Sequence, residues 1–197
     1  MSAREVVGLV LAAGTSSRMG PDRNKLLETV RGRPLVTIPI EAMRDAGVGR
    51  VVVVLGYEAN RVGDCLPAGV ESLVHEDYAG GMGTSLAVGA RHVRATAPAA
   101  AILVCVAYLP GLSSDPVRDI LVAFESAASD AILVPTAGGR RGHPVLFGPD
   151  RTVALEACDG HEGARSVVRA AGPAVVEVEV GTTGIHHDVD TPEDLAR

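Results

Sequence analysis

Four short runs of the chain, residues 6–11, 51–55, 100–106 and 131–134, are apolar or small without interruption. A strand with one face in water alternates polar and apolar side chains, so unbroken runs require cover on both faces, as in a parallel sheet between helical layers. Helix-length patterns lie between them. In residues 34–46, Leu35, Ile38, Ala42 and Ala46 recur at helical spacing, Pro34 suits a first turn and Gly47 a stop, whereas Pro39 should bend or shorten the helix. Residues 60–66 read as a short helix, residues 84–93 set Leu86, Ala90 and Val93 on one face, and residues 115–127 form a third amphipathic segment. This alternation predicts βαβ units and a three-layer α/β/α sandwich with a mostly parallel sheet. Further on, residues 143–147 and 175–180 read as strands with a helix over 162–171 between them. No repeat or long linker divides the 197 residues, so the reading is a single domain, 1–197. The segment after about Ala137 is expected to form a lid or substrate-side region, with Gly138-Gly139 as a hinge or a turn.

Composition narrows the classes. With 2 Phe, 3 Tyr and no Trp the core must be aliphatic, and 23 glycines suit tight strand-to-helix turns. The charge of −6, without a basic block, argues against nucleic acid or an anionic membrane surface as the main partner. No apolar run approaches the roughly 18 residues of a membrane span, and the expectation is a cytoplasmic chain. Cys65, Cys105 and Cys158 include no C-x-x-C pair, which signals neither a disulfide framework nor a zinc site.

The chemistry concentrates after the first run, in Leu11-Ala12-Ala13-Gly14-Thr15-Ser16-Ser17-Arg18-Met19-Gly20, followed by Asn24-Lys25. Small residues let backbone N–H groups approach an anion, hydroxyls add donors, and Arg18 and Lys25 neutralise phosphate charge. This is a phosphate cradle without the G-K-[ST] ending of a Walker A loop or the G-x-G-x-x-G of a dinucleotide site. In an α/β sheet the ligand crevice lies beyond the strand C-termini, here the loops after Leu11, Gly56, His75 and Val106.

The cradle resembles the L-A-A-G-x-S-x-R-M-G-x-x-K signature of nucleotidyltransferases with a Rossmann-like, GT-A type fold. The chain is most similar to the MobA-like and MocA-like guanylyl- and cytidylyltransferases of molybdenum cofactor maturation. Further matches are Gly80-Gly81-Met82-Gly83-Thr84-Ser85-Leu86, Arg141-Gly142-His143-Pro144, Gly163-Ala164-Arg165 and Asp188-Val189-Asp190-Thr191-Pro192-Glu193-Asp194-Leu195. The resemblance implies that Leu11, Ala12, Ala13, Gly14 and Ser16 hold the base and triphosphate of a nucleoside triphosphate, with Gly83, Thr84 and Ser85 as further contacts. Arg18 and Lys25 would neutralise its phosphates and the pyrophosphate leaving group. Arg141, His143 and Pro144 would face the acceptor, molybdopterin or the molybdenum cofactor. Ala13, in place of a second glycine, resembles the branch that uses CTP rather than GTP. Asp190, with Asp188 nearby, would be the Mg²⁺ ligand and Asp190 a catalytic residue. The same segment also suits a helix start, with Thr191 as cap and Pro192 in the first turn. His186 and His187, adjacent and on opposite faces of a strand, do not read as a joint metal site.

Two departures stand against the pattern. Relatives carry an Asp after the central strand, as in L-G-D-x-P, that shares the metal; here Val106-Ala107-Tyr108-Leu109-Pro110 puts Tyr108 at that position. A neutral phenol with a pKa of about 10 is a poor ligand for a hard cation. In the second, His75-Glu76-Asp77 replaces the usual Asn-Pro-Asp, and Glu76 or Asp77 is a candidate for the missing charge, although surface acidity suits Glu76 better. The leading reading is transfer of CMP from CTP to molybdopterin with release of pyrophosphate. The alternative is a catalytically impaired nucleotide- or pterin-binding carrier, partnering a molybdoenzyme or its maturation chaperone. A sugar-phosphate nucleotidyltransferase is the third.

Overall fold

The apolar runs become the strands of one sheet. The computed structural model describes residues 4–20, 23–186, 189, 191, 193 and 194. In chain order the elements are β1 (Val6–Ala12), β2 (Thr29–Val30), β3 (Arg33–Pro34), α1 (Thr37–Asp45), β4 (Arg50–Leu55), α2 (Ala59–Gly63), β5 (Glu71–Val74), α3 (Met82–Thr96) and β6 (Ala101–Val106). They continue with α4 (Ser114–Ser126), β7 (Ile132–Ala137), β8 (Arg140–Arg141), β9 (Val145–Phe147), α5 (Thr152–Leu155), α6 (Arg165–Ala171) and β10 (Val175–Glu179). The sheet order is β10-β7-β9-β6-β1-β4-β5, with β8 paired to β7. β1 is parallel to both neighbours, Val7 standing opposite Arg50 of β4 and Ile102 of β6. β4–β5 and β7–β10 are also parallel, whereas β9 runs antiparallel between β6 and β7.

Alternation along β1 builds the layers. Val7, Leu9 and Leu11 pack with Leu86, Ala90 and Val93 of α3, and with Leu155 and Ala171 from the second half. Val10 and Ala12 face the other way, toward Ile40 and Met43 of α1 and toward Val117, Ile120 and Phe124 of α4. Both faces are aliphatic apart from one phenylalanine each, Phe124 and Phe147, as the aromatic-poor composition requires. The three-layer mostly parallel architecture is the one expected, and among the described residues no helix is long and apolar enough to cross a membrane.

One local expectation is corrected, and one pair of alternatives is decided. The first helix begins at Thr37 rather than Pro34, which instead pairs with Thr29 in the β2–β3 hairpin. Pro39 therefore falls within the first helical turn, where an N–H has no intrahelical acceptor, so the ring interrupts nothing. Gly138 and Gly139 join β7 to β8, with Thr136 opposite Arg141 and Ala137 opposite Arg140. Their φ angles of 58° and 76° are the paired positive values of a tight two-residue hairpin turn. They form a turn, not a hinge.

Arg4 fastens the end of α4. Its Nη1 donates to the carbonyls of Phe124 at 2.8 Å and Ala127 at 2.7 Å, and the guanidinium carbon lies 4.0 Å from the centroid of the Phe124 ring. Cationic donors at a helix C-terminus satisfy its last carbonyls and its dipole. Phe124, 1% exposed, is one of only two phenylalanines in the chain. Phe124→Ala removes both the core volume and the seat of Arg4, and should cost about 3–5 kcal/mol in urea unfolding. A loss below about 1 kcal/mol would show that this face tolerates a cavity.

Candidate functional site

The chain leaves the C-terminal end of β1 toward β4 on one side and comes back into the sheet at β6 on the other. Such a reversal leaves a crevice beyond the strand ends. A cleft of about 280 Å³ lies there. Residues 11–18 form one wall, Val106 and Tyr108 border it from the end of β6, and Tyr78, Met82 and Ser85 come from around the start of α3. Lys25 and His161 complete the portion that matters for chemistry.

The wall is pinned by a hydroxyl. Ser16 takes a left-handed conformation, φ 54° and ψ 26°, rare for a residue other than glycine. Its Oγ donates to Asn24 Oδ1 at 3.2 Å and accepts from the backbone N–H of Lys25 at 3.2 Å. Asn24 Oδ1 also accepts from the N–H of Leu26 at 3.1 Å, capping the single turn that carries Lys25. The wall and Lys25 are thus set relative to one another by side chains between them.

Lys25 is 8% exposed. Its Nζ donates to the carbonyl of Val189 at 2.8 Å and lies 3.4 Å from the centroid of the Tyr108 ring. Val189 in turn donates its N–H to the Tyr108 carbonyl at 3.1 Å and packs with Leu35 and Ile38. Val189 therefore docks on the residue just past the end of β6. Asp188 and Asp190, the expected metal ligands, lie outside the described residues, as does His187. The Asp194 carboxylate accepts from the Thr191 N–H and from its hydroxyl, both at 2.9 Å, so the Thr191 hydroxyl donates here and does not accept as a helix-capping side chain would.

The chemistry at Tyr108 does not fit a divalent cation. Hard cations take several oxygen ligands. Here the side chain at the end of β6 presents a ring face, and an ammonium already occupies that face. Among the described residues no group of three or more His, Cys, Asp or Glu can hold a metal ion. Glu76 and Asp77 are exposed and do not line the cleft, so neither supplies the missing carboxylate there.

Of the α3 motif, Ser85 lines the cleft and Gly83 and Thr84 do not. Gly83 donates its N–H to the Gly160 carbonyl at 2.8 Å, and a Cβ on it would lie 2.1 Å from the Asp159 carbonyl oxygen. Only glycine permits this backbone approach, which sets His161 beside the cleft. Thr84 stands behind the wall: its hydroxyl donates to the Gly81 carbonyl at 2.8 Å, so the contact at 2.9 Å from His75 Nε2 is an N–H donated to Thr84 Oγ1. The pair ties the end of β5 to the loop that bears Tyr78. Tyr78 meets Tyr57 edge to face, with centroids 6.5 Å apart.

Arg141, His143 and Pro144 stand apart from this cleft. Arg141 pairs with Glu177 of β10 at 2.7 Å, and the His143 N–H donates to the Ile185 carbonyl at 3.1 Å. The buried Nδ1 of His143 has no hydrogen-bond partner among the described residues. Burial holds its imidazole below the ordinary histidine range, the Val104 carbonyl opposes that shift, and the charge of Arg165 adds to it. His186 Nε2 lies 2.8 Å from the Arg140 carbonyl, a structural contact.

Sequence reasoning missed Tyr78 and His161. Tyr78 lies three residues past His75, between motifs rather than in one. His161 arrives only because residues 159–161 pack on Gly83. The double glycine of the α3 motif was the available sign of a close backbone approach there.

Residues 8–175 match the family model described as MobA-like NTP transferase domain. The chain is 34% identical over 203 residues to nicotine blue oxidoreductase of Paenarthrobacter nicotinovorans, covering 98% of this chain and 95% of that one. Rv0371c from Mycobacterium tuberculosis H37Rv superposes with a TM-score of 0.85 at 28% identity, over 100% of this chain and 98% of that one. The same mycobacterial protein has been solved in complex with manganese, at TM-score 0.80, 26% identity, and coverage of 98% and 97%. A nucleotidyl transferase from Methanothermobacter, at TM-score 0.81 and 22% identity over 98% and 95% of the chains, shares the fold.

His143 gives the protein a pH-dependent stability. The unfolded chain takes up a proton there near pH 6.5 and the folded chain only at lower pH, so below about 6.5 the unfolded state binds more protons and stability falls. Urea midpoints measured from about pH 7.5 down to 5.5 should therefore decline, and His143→Gln should show a shallower decline. Equal slopes for the two proteins would mean that this imidazole titrates as it does in the unfolded chain.

Proposed function

The chain belongs to the MobA-like NTP transferase domain family, and from that premise we propose that it transfers CMP from CTP to the terminal phosphate of molybdopterin or its molybdenum form, in the cytoplasm. The observation that carries the proposal is the buried Lys25 ammonium at a cleft walled by residues 11–18. The acceptor's phosphate oxygen attacks the α-phosphorus of CTP, the bond to the bridging oxygen of the β-phosphate breaks, and pyrophosphate leaves with the negative charge. Such a reaction asks for positioning and charge neutralisation more than for a protein nucleophile. The wall holds base and phosphates, Arg18 and Lys25 oppose the charge developing on the leaving group, and Ser85 adds a polar contact. Arg141, His143 and Pro144 are assigned to the acceptor side. Ala13 is the feature that favours CTP over GTP.

A second reading has a specific observation behind it. Tyr108 stands where a metal carboxylate is expected, and a relative matching over nearly its whole length is named an oxidoreductase. Under this reading the cleft holds a nucleotide or a planar pterin without transferring anything, and the protein serves as a carrier or as a partner of a molybdoenzyme or its maturation chaperone. Incubation with CTP or GTP and molybdenum cofactor separates the two. Pyrophosphate release, faster with CTP, is the expected result; none above background while cofactor remains bound would establish the second reading in place of the first.

A further inference from the structure

We propose that the Lys25 ammonium, seated on the Tyr108 ring, does the work of a divalent cation in this cleft, so that a nucleotide's phosphates are bound without metal. The inference rests on the nucleotide-site reading above and concerns how the charge of that nucleotide is met.

Three observations converge. The ammonium is fixed on two sides, with the ring centroid 3.4 Å from Nζ and the Val189 carbonyl accepting from it at 2.8 Å, and the base of the side chain is held where the Ser16 hydroxyl accepts from the Lys25 backbone N–H at 3.2 Å. It is thereby a positive charge of set position rather than a swinging surface lysine. It is also poorly hydrated, since only 8% of Lys25 is exposed, and a charge removed from water is weakly screened. Finally, the ring itself is anchored: the Tyr108 carbonyl accepts from the Val189 N–H at 3.1 Å, and the side chain packs with Leu35, Ile38 and Val189.

An aromatic face attracts a monovalent ammonium through its quadrupole. It offers a hydrated divalent ion none of the oxygen ligands that such an ion exchanges its water for. A divalent ion placed against the same ring would also stand next to the Lys25 charge and be repelled by it. Tyr108 thus both removes a ligand and installs a cation. The wall of residues 11–18 then faces the phosphates with backbone donors, while Lys25 and Arg18 contribute the positive charge.

Calorimetric titration of the full chain with CTP, once in EDTA and once with Mg²⁺ or Mn²⁺, tests this directly. Binding in EDTA is expected, with metal improving the affinity by less than about threefold. In EDTA, Tyr108→Leu should weaken CTP by about three- to tenfold, and Tyr108→Phe, which keeps the ring face, should recover most of the loss. The Phe variant also guards against a folding defect, because it preserves the packing of the site. Metal improving affinity more than threefold, or Tyr108→Leu binding as well as the wild type in EDTA, overturns the inference while leaving the nucleotide site intact. No CTP binding with or without metal overturns both.

Discussion

A parallel strand paired on both edges and covered on both faces has no free surface except at its ends. β1 is such a strand: all its residues from Val7 to Ala12 are buried, β4 and β6 saturate its edges, and helical layers close over both sides. Polar chemistry can then begin only where the strand stops. At Ala13 and Gly14 the backbone leaves the sheet with its donors unpaired by neighbouring strands, and residues 14–18 carry the first hydroxyls and the first cation of the wall. The cleft is therefore a consequence of how completely the centre of the sheet is buried, and Lys25, Tyr108 and the start of α3 are arranged around that one strand end.

The same physics explains what could be read in advance. The buried parallel strands are long enough for an unbroken apolar run to stand out, and α3 and α4 long enough for helical spacing to repeat, so layers and strand polarity were legible. Residues 143–147 were legible as a strand, but the place of β9 (Val145–Phe147) was not, because its antiparallel insertion between β6 and β7 is a matter of tertiary pairing that no local pattern carries. Pro39 misled because the position of a proline within a helix matters more than its presence. At the site, residues 11–18 and Lys25 were legible because one stretch of chain carries them. Tyr78 and His161 were not, because they reach the cleft through backbone contacts between distant segments. Thr84 was assigned to the ligand by its place in a motif, whereas its hydroxyl is spent on the Gly81 carbonyl and His75.

In this chain the position just past the end of β6 sets the character of the cleft wall, because Tyr108 lines it with a ring face against Lys25. The mycobacterial relative has been captured with manganese; this chain turns a phenol toward its own lysine. A change of that kind leaves the sheet, the wall and the docking of Val189 in place, and so leaves fold comparison blind to it. The chain matches both a model described as an NTP transferase domain and a relative named as an oxidoreductase, so the frame by itself does not fix the chemistry.

The distribution of aromatic residues has an optical consequence. Both phenylalanines are in the core, there is no tryptophan, and the three tyrosines gather at one place: Tyr78 and Tyr108 line the cleft and Tyr57 meets Tyr78 edge to face. Near-ultraviolet emission from this protein therefore comes from phenols at the site, two of them bordering it, without a tryptophan elsewhere to mask them. Whatever enters the cleft changes the surroundings of these fluorophores, and occupancy can be followed on the unlabelled chain.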